Sequence, residues 1–543
     1  MKRLLIAISF LAAVTLTAAD YTWTGAAGDG NYDNPLNWTF RKIPSANNGT
    51  ETVYLTEEGA GTINFGANKV RLKALVFLNS TPYTFAGNGM NIGLVDGITL
   101  GSGDVTLDSV QIAGGTLQVD GPGKLYLSNP VAADATAVVP LDIRGTGKVI
   151  LTGRKAGADD RTPQSYTLSS EAYLGYTENF ASSFAEFLQN IQAISDPNAI
   201  VGIDSANPST TRTVSDHIDL SLLGRTEQTT PYYIGTTSNI NLTGLITPTF
   251  TTGGGYDALY LAALDDGYLK ISSQLGGSAS QVNAVVIGKA GLDNQGTVEI
   301  AGANSYSGGT RVLGGTLFVN TNNALGATSG TVSVSSGATL NLGSSASVSL
   351  YNPVVLDPGS TITGYGNYIS HITLSTGANL VPGGFGRIGE IHFHSPGTSL
   401  TIEAGAIWHV DLSTTNSDKL CAWNNIDILG NRLVPIVINL YSVNGNDFGP
   451  LLNFDPTQAY SWTILSRNQT LTGFDSDYFN INADALLAYN PKLAGLGDFN
   501  IEQIGNNLAI TFTPVPEPGT YALMLLGLAT MGVMKYRRRR ARR

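Results

Sequence analysis

The chain is 543 residues long and carries a formal net charge of −11, with 13% charged residues, 64 glycines and one cysteine. An acidic balance of this kind excludes binding of nucleic acid, or of anionic glycans, by charge alone. A single cysteine, Cys421, cannot form an internal disulfide, so the fold must be held by burial.

Residues 1–19 read as a secretory signal peptide. Met1-Lys2-Arg3 is a basic start, Leu4–Leu16 an apolar run, and Thr17-Ala18-Ala19 a small-residue cleavage site, which puts the mature N-terminus near Asp20. The mature chain is rich in Gly, Thr, Ser, Asn, Val and Leu, a composition of short strands and tight turns. Residues 20–157 are read as the first rungs of a stacked β structure. Gly114-Gly115-Thr116-Leu117-Gln118-Val119-Asp120 recurs as Gly314-Gly315-Thr316-Leu317-Phe318-Val319-Asn320. Variants stand at 296–300, 330–334 and 337–342. In each, alternate residues are apolar, so Leu117/Val119, Leu317/Val319, Val332/Val334 and Leu340/Leu342 should face one core. A unit this short cannot bury its own face, but stacked units bury a continuous one. Separate β-sandwiches are the competing architecture, and they give no reason for one glycine-led phrase to recur. The expected fold is all-β, a right-handed parallel β-helix.

Residues 158–233 interrupt the phrase. Phe180, Phe184, Phe187, Leu188, Ile191 and Ile194 recur at helical spacing before Asp196-Pro197, which predicts one amphipathic helix over Glu178–Ile194. Its apolar stripe should cover a flank of the solenoid.

Residues 234–430 carry the clearest repeats. The run Val298–Leu317, with Asn304-Ser305-Tyr306-Ser307-Gly308-Gly309-Thr310, continues through Asn323-Ala324-Leu325-Gly326, Ser329–Val332 and Ser336–Leu340. It resembles the autotransporter-associated β-strand repeat, which implies rungs of a passenger β-helix on a surface protein. Tyr21-Thr22-Trp23-Thr24-Gly25 through Asn37-Trp38 resembles the opening usual in such chains, and Pro382–Ile391 their late rung. No C-terminal β-barrel is seen after them, so a self-translocating autotransporter is not expected. Residues 431–513 read as closing strands at Leu433–Tyr441, Tyr460–Leu465, Phe474–Ile481 and Leu508–Phe512.

Residues 514–543 have their own grammar. Val515-Pro516-Glu517-Pro518 precedes the apolar run Thr520–Met534, and Lys535, Arg537, Arg538, Arg539, Arg540, Arg542 and Arg543 come after it. This order resembles the PEP-CTERM sorting signal of exported bacterial proteins, which implies recognition by an exosortase-type membrane enzyme. Fifteen apolar residues fall short of the ~20 that span a bilayer, though Tyr521 and Tyr536 suit its interfaces. A membrane helix at 520–534 with its arginines cytoplasmic would place the preceding chain outside. Lys2, Arg3 and the seven tail bases are nine positive charges without acids. Setting them aside takes the net charge from −11 to −20 over residues 20–518.

Signatures of catalysis are absent: there is no Gly-x-Ser-x-Gly elbow, His-Glu-x-x-His, phosphate loop or zinc-type cysteine pair. Gly384-Phe385-Gly386-Arg387-Ile388-Gly389 spells a dinucleotide fingerprint, but nothing helical comes after it, so it reads as a loop between rungs. Four residues make a weak metal constellation. If Ile391, Phe393, Trp408 and Val410 point inward, His392, His394, His409 and Asp411 lie outside, and neighbouring strands could bring three imidazoles and a carboxylate together for zinc or copper. Scattered surface positions explain the same residues. β-Helical polysaccharide lyases and hydrolases require clustered carboxylates. Asp104, Asp108, Asp142 with Arg144, and Asp265-Asp266 are the nearest approaches, each isolated in sequence. Trp23 and Trp38 could stack on sugar rings or plug the N-terminal end of the core. The sequence therefore reads as an exported, non-enzymatic cell-surface or matrix protein without a cofactor. A glycan-binding adhesin, with extracellular polysaccharide as its partner, or a β-helical polysaccharide lyase or hydrolase is the alternative.

Overall fold

The computed structural model describes residues 20–44, 48–65, 69–113, 116–128, 140–153, 164–189, 191–194, 198–223, 232–248, 258–277, 282–343, 348–393, 398–423, 426–469, 471, 473–515 and 518–540. The signal peptide, His394, Pro516, Glu517, Arg542 and Arg543 lie outside them. The chain divides into two compact units, residues 1–269 and 270–543. Each is a parallel β-solenoid.

In the first unit one ladder stacks Asp20–Trp23, Thr52–Leu55, 74–77, 97–99, Leu117–Asp120 and Leu141–Ile143. A second runs from Gly61–Asn64 through 83–86, 105–108, Lys124–Ser128, Lys148–Gly153, Tyr173–Tyr176, Ile200–Ile203 and Tyr233–Thr236 to Ala258–Ala263. Period-2 alternation decides which side chains enter the core. Ile63, Phe85, Leu107, Leu127 and Leu151 stand in register, one per rung, and all are buried.

The stretch 158–233 differs from expectation. Gln164–Leu168, Tyr173–Tyr176 and Ile200–Ile203 pair in parallel with other rungs of this unit, so the ladder runs through it. The helix is confined to Phe184–Gln189, and Ile191–Ile194 returns as a strand beside Gln164–Leu168. Phe180, Phe184 and Phe187 are buried, with Phe187 stacked on Tyr176 at 4.4 Å. The aromatic stripe is therefore real but serves less than two turns. A longer helix would forgo the ladder that the β-branched Ile191 and Ile194 join.

Among the described residues the second unit shows three faces. One stacks Ala284–Ile287, Thr310–Val312, Val332–Val334, Val354–Leu356, Ile372–Leu374, Leu400–Glu403 and Ile426–Leu429. Another stacks Thr297–Ile300, Thr316–Val319, Thr339–Leu342, Thr361–Gly364, Asn379–Pro382, Ile407–Leu412 and Ile436–Asn444. The third begins Ser349–Leu350, Asn367–Tyr368, Glu390–Phe393, Lys419–Ala422 and Tyr460–Arg467. Leu317, Leu340, Ile362, Leu380 and Trp408 form a buried column. Buried asparagines tie successive coils: Asn304, in the repeat, accepts from the Leu275 amide at 2.7 Å and donates to the Ala324 carbonyl at 2.6 Å. Asn352 donates to the Ala327 and Gly330 carbonyls at 2.8 and 2.9 Å.

Pairing changes near the C-terminus. Phe479–Asn482 still pairs in parallel with Ile436–Asn444, but Asn507–Pro514 runs antiparallel to both Tyr460–Arg467 and Gly497–Ile504. The last of these strands is missing from the sequence reading, because its outward positions carry Asp498, Asn500 and Glu502 and its apolar content is thin. Trp462 is buried here and its indole N–H donates to the Ser413 carbonyl at 2.8 Å. The 384–389 glycine run is a loop between Asn379–Pro382 and Glu390–Phe393, with no helix behind it.

Candidate functional site

The tail is built as its sequence suggests. The last strand ends at Pro514, and the Val515 amide donates to the Leu496 carbonyl at 2.8 Å. A 23-residue helix, Pro518–Arg540, begins with proline at its first position, where the missing N–H costs nothing. Leu526, Leu528, Met531, Val533 and Met534 are each more than half exposed, so no protein surface covers them. Lys535, Arg537 and Arg538 are exposed near the helix C-terminus, where cations suit the dipole. No helix among the described residues is long and apolar enough to cross a membrane. Thr520–Met534 spans about 22 Å at 1.5 Å per residue, against a hydrocarbon core of about 30 Å.

The predicted histidine constellation separates. His409 sits on Ile407–Leu412 and His392 on Glu390–Phe393, which belong to different faces of the second unit. His409 contacts the Tyr441 hydroxyl at 3.2 Å through Nδ1 and Asn379 Oδ1 at 3.1 Å through Nε2. Burial lowers its pKa to about 4. Asp411, expected outside, is 2% exposed because the end of its strand, Val410-Asp411-Leu412, is covered on both sides. Its Oδ2 accepts the Arg387 amide at 2.8 Å, and burial pushes its pKa up to about 6. The fully buried Asp418 accepts the Gly389 and Asp411 amides at 2.8 and 2.9 Å, and burial holds its carboxyl well above the usual range. This carboxyl pair therefore fastens the 384–389 loop.

His392 instead meets partners that sequence reasoning missed. Glu390 and His392 point outward at i and i+2, and His392 stands in register with Cys421 and Glu390 with Lys419. Cys421 is half-buried on the outer face, because alternation along Lys419–Ala422 sends Leu420 and Ala422 inward. Glu390 Oε1 accepts from Lys419 Nζ at 2.9 Å, and its Oε2 lies 3.9 Å from His392 Nε2 and 3.7 Å from Cys421 Sγ. The Lys419 hydrogen bond lowers the Glu390 pKa, burial lowers that of His392, and burial pushes the Cys421 thiol up to about 11. Beside them is a cleft of about 310 Å³ lined also by Tyr365, Asn416 and Ser417. The i, i+2 spacing of Glu390 and His392 was readable, whereas the Cys421 register was not.

In the first unit Trp23 and Trp38 are 1% and 3% exposed and meet edge to face at 5.0 Å. Their N–H groups donate inward to the Gly59 and Tyr32 carbonyls at 3.0 and 2.8 Å. Neither ring offers a free face to a sugar. An aromatic row lies elsewhere, in the second unit: exposed Phe385, half-buried His409 and Tyr441, and exposed Phe448 and Tyr489 succeed one another at centroid spacings of 4.9, 5.8, 5.4 and 6.2 Å. Asp104 and Asp265, distant in sequence, are joined in the first unit by Lys124, at 4.0 and 3.6 Å, and Lys148 lies 3.1 Å from Asp265. Asp142 pairs locally with Arg144 at 2.6 Å.

Comparison with known proteins adds two findings to this geometry. Residues 514–540 match the PEP-CTERM protein-sorting motif. A further stretch is similar to an adhesin autotransporter, BmaC of Brucella suis biovar 1 (strain 1330), with 29% identity over 191 residues, or 31% of this chain. The chain spans 5% of that protein's length. The chain thus joins a passenger-like β-solenoid to a tail that marks it for export, membrane anchoring and recognition by an exosortase.

Proposed function

We propose that this is an exported, non-enzymatic surface or extracellular-matrix protein whose β-solenoid units are structural and adhesive, and whose tail an exosortase removes. The PEP-CTERM match at residues 514–540 carries the reading. The exposed apolar residues of the tail helix, together with its basic end, support membrane anchoring before processing. The intact mass and C-terminal peptide of the native protein test it. A C-terminus near Pro516, in material recovered from the cell surface or medium, is the expected result. A tail retained to Arg543 in all of the native protein would overturn removal and leave an anchor.

The aromatic row of the second unit supports a more specific reading, adhesion to neutral glycans. Phe385, Phe448 and Tyr489 are 54%, 37% and 47% exposed, and Asn439 and Asn482 lie close by, bonded at 3.0 Å. Flat rings beside amides suit sugar faces and hydroxyls. Saturable retention on a neutral glycan array, lost in Phe385→Ala and Tyr489→Ala but kept in Trp23→Phe, is the expected outcome.

A further inference from the structure

We propose that Glu390, His392 and Cys421 form a three-ligand site for a zinc-like divalent cation on the outer face of the second unit, with a fourth position open to the adjoining cleft. One ligand atom from each residue lies within 4.8 Å of the other two. Tetrahedral zinc with bonds of about 2.0–2.3 Å holds its ligand atoms about 3.3–3.8 Å apart. The Glu390–His392 and Glu390–Cys421 separations, 3.9 and 3.7 Å, already approach that spacing. Only side-chain rotation is needed to complete it, because the backbone is fixed by two hydrogen-bonded strands in register.

The donor set selects the metal. Sulfur, imidazole nitrogen and one carboxylate oxygen suit zinc or another borderline cation, whereas calcium and magnesium require oxygen shells. Three protein ligands leave one position unfilled, the arrangement of an open zinc site. The 310 Å³ cleft lined by Tyr365, Asn416 and Ser417 adjoins it, so small ligands could reach the ion. On binding, the Cys421 sulfur gives its proton to solvent as the metal–sulfur bond forms, and no redox change occurs.

Lys419 is the opposing influence. Its ammonium bonds the far oxygen of Glu390 at 2.9 Å, which orients the carboxylate but places a positive charge beside the ion. Were the cluster only a surface ion pair with a bystander histidine and thiol, it would have no affinity for metal, and changing Lys419 would matter only to Glu390. The two cases therefore differ in what Lys419→Met does.

The test uses the purified full chain, reduced and stripped with a chelator. It is titrated with zinc sulfate by calorimetry, and with cobalt(II) monitored by absorption. One equivalent should bind, and the cobalt form should show a thiolate-to-metal charge-transfer band. Cys421→Ser should abolish the band and weaken zinc by more than the roughly tenfold that even an outer-shell partner is worth. His392→Gln should weaken it similarly, His409→Gln should leave it unchanged, and Lys419→Met should tighten it. Circular dichroism confirms that each variant is folded. Absence of binding, or binding with no thiolate band and no response to Cys421→Ser, would overturn the site.

Discussion

The rungs at 297–364 in the second unit and those at 173–236 in the first are both parallel ladders, yet they are made differently. In the former, Thr316–Val319 and Thr339–Leu342 alternate half-buried and buried residues, so one side of the sheet faces the core and the other faces water. In the latter, Tyr173–Tyr176, Ile200–Ile203 and Tyr233–Thr236 are buried at every position. Glycine shows the contrast best. Gly337 occupies a turn at φ +77 with open space where a Cβ would go. Gly175, Gly202 and Gly235 are mid-strand and in register, and they clear a channel that the Tyr173 ring fills. A solenoid rung thus requires inward alternation and a way round the corner, while its outer side can be wet or packed.

The packed side depends on one acid. Asp204 is 1% exposed and accepts the Tyr173 hydroxyl at 2.6 Å, the Thr237 amide at 2.8 Å and the Thr237 hydroxyl at 3.0 Å. Asp204→Ala leaves at least two of these donors buried and unsatisfied, at about 1–3 kcal/mol each. A loss of roughly 3 kcal/mol or more in the first unit is expected, the largest of the effects. Hydrogen exchange of the 173–236 strands in the full chain gives the local readout that a multi-unit denaturation curve does not. Unchanged protection would mean that the outer side is held by apolar packing alone.

The glycines offer a direct comparison. A Cβ at Gly202 would overlap the Tyr173 hydroxyl and ring, so Gly202→Ala should cost about 1–3 kcal/mol through overpacking. Gly337→Ala meets no neighbour and should cost only the left-handed backbone penalty, about 1 kcal/mol. Equal costs at the two glycines would remove the distinction between turn and channel.

Legibility in the sequence obeys the same divide. Leu117, Val119, Leu317, Val319, Val332, Val334, Leu340 and Leu342 are all buried as their alternation requires. Where both sides are buried, period 2 vanishes from the sequence, and Ile200-Val201-Gly202-Ile203 looks like no rung in particular. The Phe180–Phe187 spacing was legible as a helix, but its end was not, because ladder pairing of Ile191–Ile194 overrides local periodicity. Asp411 was misplaced by extending alternation to a strand end that is covered on both sides. The Glu390, His392 and Cys421 cluster depends on register between strands 29 residues apart, which no local pattern encodes.

The smallest expected effect concerns pH and the buried carboxyl pair beside the 384–389 loop of the second unit. Asp411 and Asp418 have folded pKa values raised above the unfolded ones, so the neutral acids suit the fold. Their contribution is full below the unfolded pKa of 3.8 and is lost as pH rises, for Asp411 through about 6. His409, lowered from 6.5 to about 4, acts in the opposite sense: its contribution is present above 6.5 and is lost as pH falls toward 4. Between these limits the two partly cancel, and the net slope should be shallow. Asp411→Asn removes part of the acid side of this balance and also the charge that, after burial, helps raise Asp418. The variant should therefore gain stability relative to the unaltered chain at about pH 7.5 and show a steeper decline toward about pH 5, where less of the histidine's loss is offset. Hydrogen exchange across Ile407–Leu412, compared at the two pH values after correction for intrinsic exchange, measures this. Parallel pH profiles in the two proteins would mean that the carboxyl pair keeps the same protonation folded and unfolded, and that backbone hydrogen bonding offsets its burial.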